Sequence, residues 1–249
     1  MEKNNQNIDE LLAVAVETAK KAGEYLRGAT TTVLSSIDKD IKLSADIETH
    51  KIIIESLTDT ELPILSEEDT EHTFSHERVW IVDPLDGSLN YVRGMPSCAV
   101  SIALWGNNEP VLGVVFDFNR NELYSGLVGS GAWMNDVPIH VSGTKEKADA
   151  VIMSGFPSYT DYSDEALYAY IKRVQEFKKV RLIGSAALSL AYVASGRADA
   201  YYESGIKLWD VAAGLALVRA AGGAYASNAS DAHQGYKISA ASITHLLIS

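Results

Sequence analysis

One cysteine, Cys98, stands alone in 249 residues, so no intrachain disulfide can form and a cytoplasmic address is expected. It lies in an apolar stretch, which predicts a buried small hydrophobe rather than a reactive thiol. No apolar run approaches the ~18–20 residues that a bilayer span needs. The stretch Met1 to Asn7 lacks the apolar segment of a signal peptide. Basic residues are few: 21 Lys and Arg against 33 Asp and Glu leave a net charge of −12. That sign repels nucleic acid and anionic lipid, and no basic block interrupts it, so neither partner is expected. Repeats, low-complexity tracts and linkers rich in Pro, Gly or Ser are absent too, which leaves no visible domain boundary.

What remains is an ordinary globular composition, 47% apolar and 22% charged, enough to bury a core. At roughly 150 residues per domain the length fits one large domain or two small ones. A single domain over 1–249 is expected, with two packed subdomains, about 1–140 and 141–249, as the alternative. The acidic excess either merely solubilises the fold or converges in part on metal cations; composition leaves both open.

Apolar Ile8, Leu11, Leu12, Ala15, Ala19, Ala22 and Leu26 recur at three and four, predicting an amphipathic helix over 8–27 that Gly28 ends. Residues 29–44 read as polar and irregular, and a second helix fits 45–58. Strands are expected at 62–65, 79–82, 98–105, 111–118, 122–128 and 150–154, with Asn119-Arg120-Asn121 as a hairpin turn. From Ser163 the pattern alternates: helix, strand 179–183, helix from Ser185 to Gly196, strand 198–203, and helix from about Asp210 to Gly222-Gly223. Strand blocks followed by alternation imply a layered α/β or α+β sandwich.

The chemistry concentrates in Val79-Trp80-Ile81-Val82-Asp83-Pro84-Leu85-Asp86-Gly87-Ser88-Leu89-Asn90. An apolar strand ends in two carboxylates separated by a proline that cannot continue the ladder, so a turn is expected at Pro84. Such a turn can point Asp83, the Leu85 carbonyl and Asp86 into one volume, and hard oxygen donors of that kind suit Mg²⁺. An Asp-Pro/Asp-Gly surface turn with solvated acids would show the same letters. Other acids stand at element ends: Glu67-Glu68 after strand 62–65, Asp46 opening a helix, and Asp210 after Trp209. Each alone reads as a cap or a solvated charge.

Asp83-Pro84-Leu85-Asp86-Gly87-Ser88-Leu89-Asn90 resembles the first signature of the inositol monophosphatase superfamily, magnesium-dependent and lithium-sensitive phosphatases. Trp209-Asp210-Val211-Ala212-Ala213-Gly214 followed by Ala221-Gly222-Gly223 resembles its second. Leu43-Ser44-Ala45-Asp46, Glu67-Glu68, Gly184-Ser185-Ala186-Ala187 and Asp199-Ala200-Tyr201-Tyr202-Glu203 stand in the expected order, so the likeness covers nearly the whole chain. It implies the inositol monophosphatase/fructose-1,6-bisphosphatase-like fold, a sandwich of alternating α-β-α-β-α layers.

The resemblance also implies roles and two to three Mg²⁺ ions per subunit. Glu67, Asp83 and the Leu85 carbonyl would hold one ion, and Asp83, Asp86 and Asp210 a second. Glu67 would also reach a third, weaker one. Ser88 with Asp46 would orient and deprotonate the attacking water, and the backbone N–H groups of Gly87 and Ser88 would hold phosphate oxygens. Substrate hydroxyls would meet Asp86, Ser185, Glu203 and Asp210. The pattern departs at position 35, where the family often has lysine and this chain has Ser35, with Lys39 the nearest substitute. Lys207 stands where a histidine is common, either to contact a second phosphate or as a solvated lysine.

The expected substrate is a small sugar or inositol phosphate, with myo-inositol monophosphate leading because an uncharged Asn90 is similar to the inositol phosphatase branch. Fructose 1,6-bisphosphatase activity, as in archaeal enzymes of both activities, is the close alternative. A 3′-phosphoadenosine 5′-phosphate phosphatase and a non-catalytic partner of the transcription machinery rank below. A homodimer is expected, with Trp105 and Trp133 offering apolar area for an interface or for the core.

Overall fold

The computed structural model describes residues 7–37, 40–68, 77–157, 160–229, 236–242 and 244–248. Helix α1 (Ile8–Gly28) starts at Asn7, whose Oδ1 accepts the Asp9 N–H at 3.1 Å, and buries Leu11, Ala15, Ala19, Ala22 and Leu26 along one stripe. A hairpin of β1 (Val33–Ile37) and β2 (Asp40–Leu43) leads into α2 (Ser44–Thr58). Then come β3 (Ile64–Ser66), β4 (Arg78–Asp86), the short α3 (Ser88–Val92), β5 (Ala99–Gly106), β6 (Glu109–Asp117), β7 (Glu122–Leu127), β8 (Gly131–Met134) and β9 (Val137–Ile139). The rest alternates: β10 (Val151–Ser154), α4 (Asp164–Val174), β11 (Lys179–Leu182), α5 (Ala186–Ala194), β12 (Ala200–Ile206), α6 (Leu208–Ala220), β13 (Ala224–Ala229) and β14 (Tyr236–Ala241).

Among the described residues β3 to β9 form one sheet in sequence order, parallel only between β3 and β4. A second sheet runs β11-β10-β12-β14-β13. Side-chain alternation splits the first sheet's apolar residues between two cores. Trp80, Val82, Ile102, Leu104 and Val114 pack with α1 and α2, while Val79, Ile81, Ala103, Trp105 and Val115 pack with α5 and α6. Helix α6 reaches the second sheet as well, and α4 covers that sheet's far face over Ile152 and Tyr202. The layers are therefore α-β-α-β-α. Helix α6 lies so close to β6 that a Cβ on Gly113 would run into the Ala213 carbonyl.

The structure differs from the sequence reading in several places. Residues 29–44 contain the β1–β2 hairpin, whose Val33 and Leu34 are half exposed and so carry no burial pattern. Strands β8, β9, β13 and β14 were not expected; they are short or weakly alternating. The chain does not turn away at Pro84, because β4 continues to Asp86. Helix α6 begins at Leu208, ahead of Asp210. Trp105 belongs to the core, its indole N–H donating to the Ala212 carbonyl at 3.3 Å, whereas Trp133 is half buried.

Candidate active site

The cleft is built first by an irregularity in β4. Asp83 lies opposite Ser101 and Asp86 opposite Ala99, so three steps on β4 match two on β5. In a regular strand residues 83 and 86 would face opposite sides; the extra residue brings both acids to the same side. Pro84, which has no N–H to offer the ladder, is tolerated inside the bulge. Asp83 Oδ1 accepts the Leu85 N–H at 3.0 Å. At the end of the bulge Gly87 adopts φ 85°, and a Cβ there would stand 2.8 Å from the Ser97 carbonyl oxygen.

Two helices and a loop meet this strand end. Asp86 receives the Ala186 N–H at 3.3 Å, the Ala187 N–H at 3.0 Å and the Ser185 hydroxyl, all at the start of α5. Ser185 also caps α5, its Oγ accepting the Leu188 N–H at 3.2 Å. Asp210 sits three residues past Lys207 at the start of α6 and reaches back to the Lys207 N–H, 3.1 Å from its Oδ2. One carboxylate oxygen from each of Asp83, Asp86 and Asp210 lies within 4.8 Å of the others. Glu67 follows β3, its N–H donating to the Val82 carbonyl at 3.3 Å; the residue borders solvent while its carboxyl meets that of Asp83.

Electrostatics follow from this crowding. Burial and then the charge of Glu67 hold Asp83 well above the usual carboxylate range, and burial and then Asp86 do the same to Asp210. Glu67 is raised by lost hydration and then by Asp210. Asp86 rises only to about 6, because burial is opposed by its Ser185 and α5 hydrogen bonds. Glu203, on β12, is pushed by burial and Asp86 to about 8. Its carboxyl occupies the space that a Cβ on Gly155 would need. On the other wall Asp46 is buried at the start of α2; its Oδ2 accepts the Leu43 N–H at 2.7 Å. Its Oδ1 lies 3.3 Å from Ser88 Oγ, which also donates to the Leu85 carbonyl at 2.9 Å. Burial raises Asp46 to about 6.

Asp46, Glu67, Asp83, Leu85, Asp86, Gly87, Ser88, Ser185, Glu203 and Asp210 all line one cleft of about 560 Å³. Seven carboxylates stand there against two lysines, Lys42 and Lys207. A set of oxygen donors, several of them buried and with raised proton affinities, is a chemical match for a small hard cation such as Mg²⁺. Sequence reasoning missed Lys42, which ion-pairs with Glu68 and lines the cleft; it lies on the hairpin, which carried no sequence signal. Lys39 lies outside the described residues, and Ser35 is exposed on β1. Lys207 is half buried at the cleft edge, and Phe156 and Trp209 add an apolar wall that no motif announced. Asn90 turns away from the cleft, its amide donating to backbone carbonyls.

Known proteins share this arrangement of elements. The model of the inositol monophosphatase family matches residues 7–242. The chain is 40% identical over 218 residues to a Nus factor SuhB of Xylella fastidiosa, covering 84% of this chain and 79% of that protein. It is 38% identical over 228 residues to an inositol-1-monophosphatase of Mesorhizobium japonicum, covering 86% and 84%. The solved structure of an inositol monophosphatase from Anabaena has a TM-score of 0.84 at 34% identity, over 97% of this chain and 94% of that one.

Proposed function

The chain belongs to the inositol monophosphatase family and is a phosphatase, and on that premise we propose that it is a magnesium-dependent phosphomonoester hydrolase acting on myo-inositol 1-phosphate or a related sugar phosphate. The observation that carries the proposal is the meeting of Asp83, Asp86 and Asp210, from elements more than a hundred residues apart, at the floor of a cleft sized for a small molecule.

In this reading Glu67, Asp83 and the Leu85 carbonyl would hold one Mg²⁺, and Asp83, Asp86 and Asp210 a second, and Glu67 would reach a third. Bound Mg²⁺ would neutralise the phosphoryl charge, which a protein of net charge −12 cannot do alone, and would make water a stronger nucleophile. Ser88 orients the attacking water and passes its proton to Asp46, whose raised proton affinity makes it a competent acceptor near neutral pH. The Gly87 and Ser88 N–H groups hold phosphate oxygens, so the ester lies in line with the water. Ser185 and Glu203, together with Asp86 and Asp210, orient the ring hydroxyls of the leaving alcohol. The working assembly is a homodimer, which light scattering at micromolar concentration checks; the mass of one chain would contradict it.

Phosphate release with Mg²⁺ from myo-inositol 1-phosphate, fructose 1,6-bisphosphate and 3′-phosphoadenosine 5′-phosphate, run in parallel, tests the substrate. Highest kcat/KM on the inositol ester is expected, and release from the nucleotide alone would overturn the choice. A relative named as a Nus factor makes a non-catalytic role the second reading. Inactivity on every ester, with retention on a column of transcription proteins, would favour it.

A further inference from the structure

Asn90 is 8% exposed, and its Nδ2 donates to three backbone carbonyls: Ser97 at 2.6 Å, Ile183 at 2.8 Å and Gly184 at 3.1 Å. Those carbonyls come from two separate segments, the entry to β5 and the entry to α5. The junction is tight from both sides. A Cβ on Gly87 would stand 3.1 Å from the Gly184 carbonyl oxygen, and one on Gly184, at φ 71°, would stand 3.1 Å from Asn90 Nδ2. The next residue in the chain is Ser185, whose hydroxyl, with the Ala186 and Ala187 N–H groups, grips Asp86.

We infer that Asn90 is a positioning residue for the Asp86 carboxylate, acting through Gly184 and Ser185. The amide ties the loop before α5 to the α3 turn that follows Asp86, so the strand bearing the carboxylate and the helix start that orients it keep one relative placement. A charged residue at position 90 would not substitute: a carboxylate would face three carbonyl oxygens, and a lysine would have to fit its ammonium into space shaped for a planar amide. The uncharged residue is thus required by local geometry, without reference to the substrate. Donors that orient a ligand commonly change cation affinity by about 10–100-fold when removed. The inference rests on the proposed cation site, so its test uses the metal alone and a structural readout.

Mn²⁺ affinity is measured by calorimetry on the wild-type chain, Asn90→Ala, Ser185→Ala and the double variant, with melting temperatures alongside. Asn90→Ala is expected to weaken Mn²⁺ about 10-fold. In the Ser185→Ala background the same change should cost less, about 3-fold, because one of the three donors that Asn90 places is already gone and only the Ala186 and Ala187 N–H groups remain. Equal losses in both backgrounds, or a lowered melting temperature with unchanged affinity, would overturn the inference and leave Asn90 as a fold-stabilising amide. If Asn90→Ala does not fold, Asn90→Ser, which keeps a short donor, runs the same cycle. Should the wild-type chain take up no Mn²⁺, the functional reading fails. The amide proton shifts of Ala186 and Ala187 then decide the positioning: they move on Asn90 substitution if Asn90 places the α5 start, and stay fixed if it does not.

Discussion

Replacing Asp210 by asparagine separates its part in starting α6 from its part in the acidic cluster. The amide keeps an oxygen for the Lys207 N–H, now 3.1 Å from Oδ2, so the first turn of α6 should persist. What disappears is one charge. Two full charges at 4.8 Å, the outer bound of the cluster, repel by about 3 kcal/mol at an effective dielectric constant of about 20, a repulsion that the raised proton affinities of Asp83 and Asp210 relieve in part. The metal-free variant should therefore be no less stable than wild type. With cation the order reverses. A site filled at a hundred times its Kd stabilises by about 2.7 kcal/mol; a tenfold weaker site under the same conditions gives about 1.4 kcal/mol. At about 2–4 °C per kcal/mol for a chain of this size, the Mg²⁺-induced rise in Tm should shrink from roughly 5–11 °C to roughly 3–6 °C. Losing about 3 kcal/mol of transition-state stabilisation lowers kcat/KM by about 10²-fold, partly restored at high Mg²⁺. Differential scanning fluorimetry and phosphate release, each across a Mg²⁺ series, make the measurement. Wild-type turnover with an unchanged Tm shift would show that Asp210 only starts its helix.

Ser88→Ala should lower kcat by about 10²-fold while leaving KM and the Mg²⁺ titration close to wild type, because it removes a proton carrier and no ligand; a change in cation affinity instead would refute that role. Arg197 grips Glu122 through both nitrogens, at 2.5 and 2.8 Å, and holds its carboxyl below the usual range. A depressed folded value stabilises above the unfolded carboxylate range and is lost as pH falls through the folded value. Glu122→Gln should therefore cost up to about 1 kcal/mol at pH 7 for this partly exposed pair, with the difference in thermal melts closing below about pH 4. Gly113→Ala should destabilise by about 1–3 kcal/mol in denaturant melts, since the added methyl meets the Ala213 carbonyl; a neutral result would place α6 farther from β6.

Long periodic segments were the most legible in sequence. The stripe from Leu11 to Leu26 located α1, and the apolar run Val79–Val82 located the centre of β4, because both signals come from burial on a defined face. The β1–β2 hairpin left no such trace, as half-exposed Val33 and Leu34 pack against nothing that would select a pattern. The bulge was hidden for a different reason: proline normally stops a ladder, and only pairing with β5 shows that one extra residue is absorbed. For the site, the acids were visible as residue types, but their meeting is a long-range fact. Asp46 and Asp210 read as helix-start acids, which they are, and no local pattern reveals that both helix starts face β4. Asn90 was visible as a marker of substrate class, yet its amide is spent on carbonyls of segments far along the chain.

The two helix-start acids carry a consequence for which cation is selected. Asp46 and Asp210 each commit one oxygen to the backbone N–H three residues earlier, and Asp83 commits one to Leu85. In Asp83 and Asp210 one oxygen is left wholly to the cleft, which disfavours both oxygens of one carboxylate binding a single ion. Ca²⁺ favours seven or eight oxygens and often takes both from one carboxylate, whereas Mg²⁺ wants six, one per donor, in a compact octahedron. With Mg²⁺ as the proposed ion, these bonds, which never touch it, would restrict denticity and weigh against a larger cation.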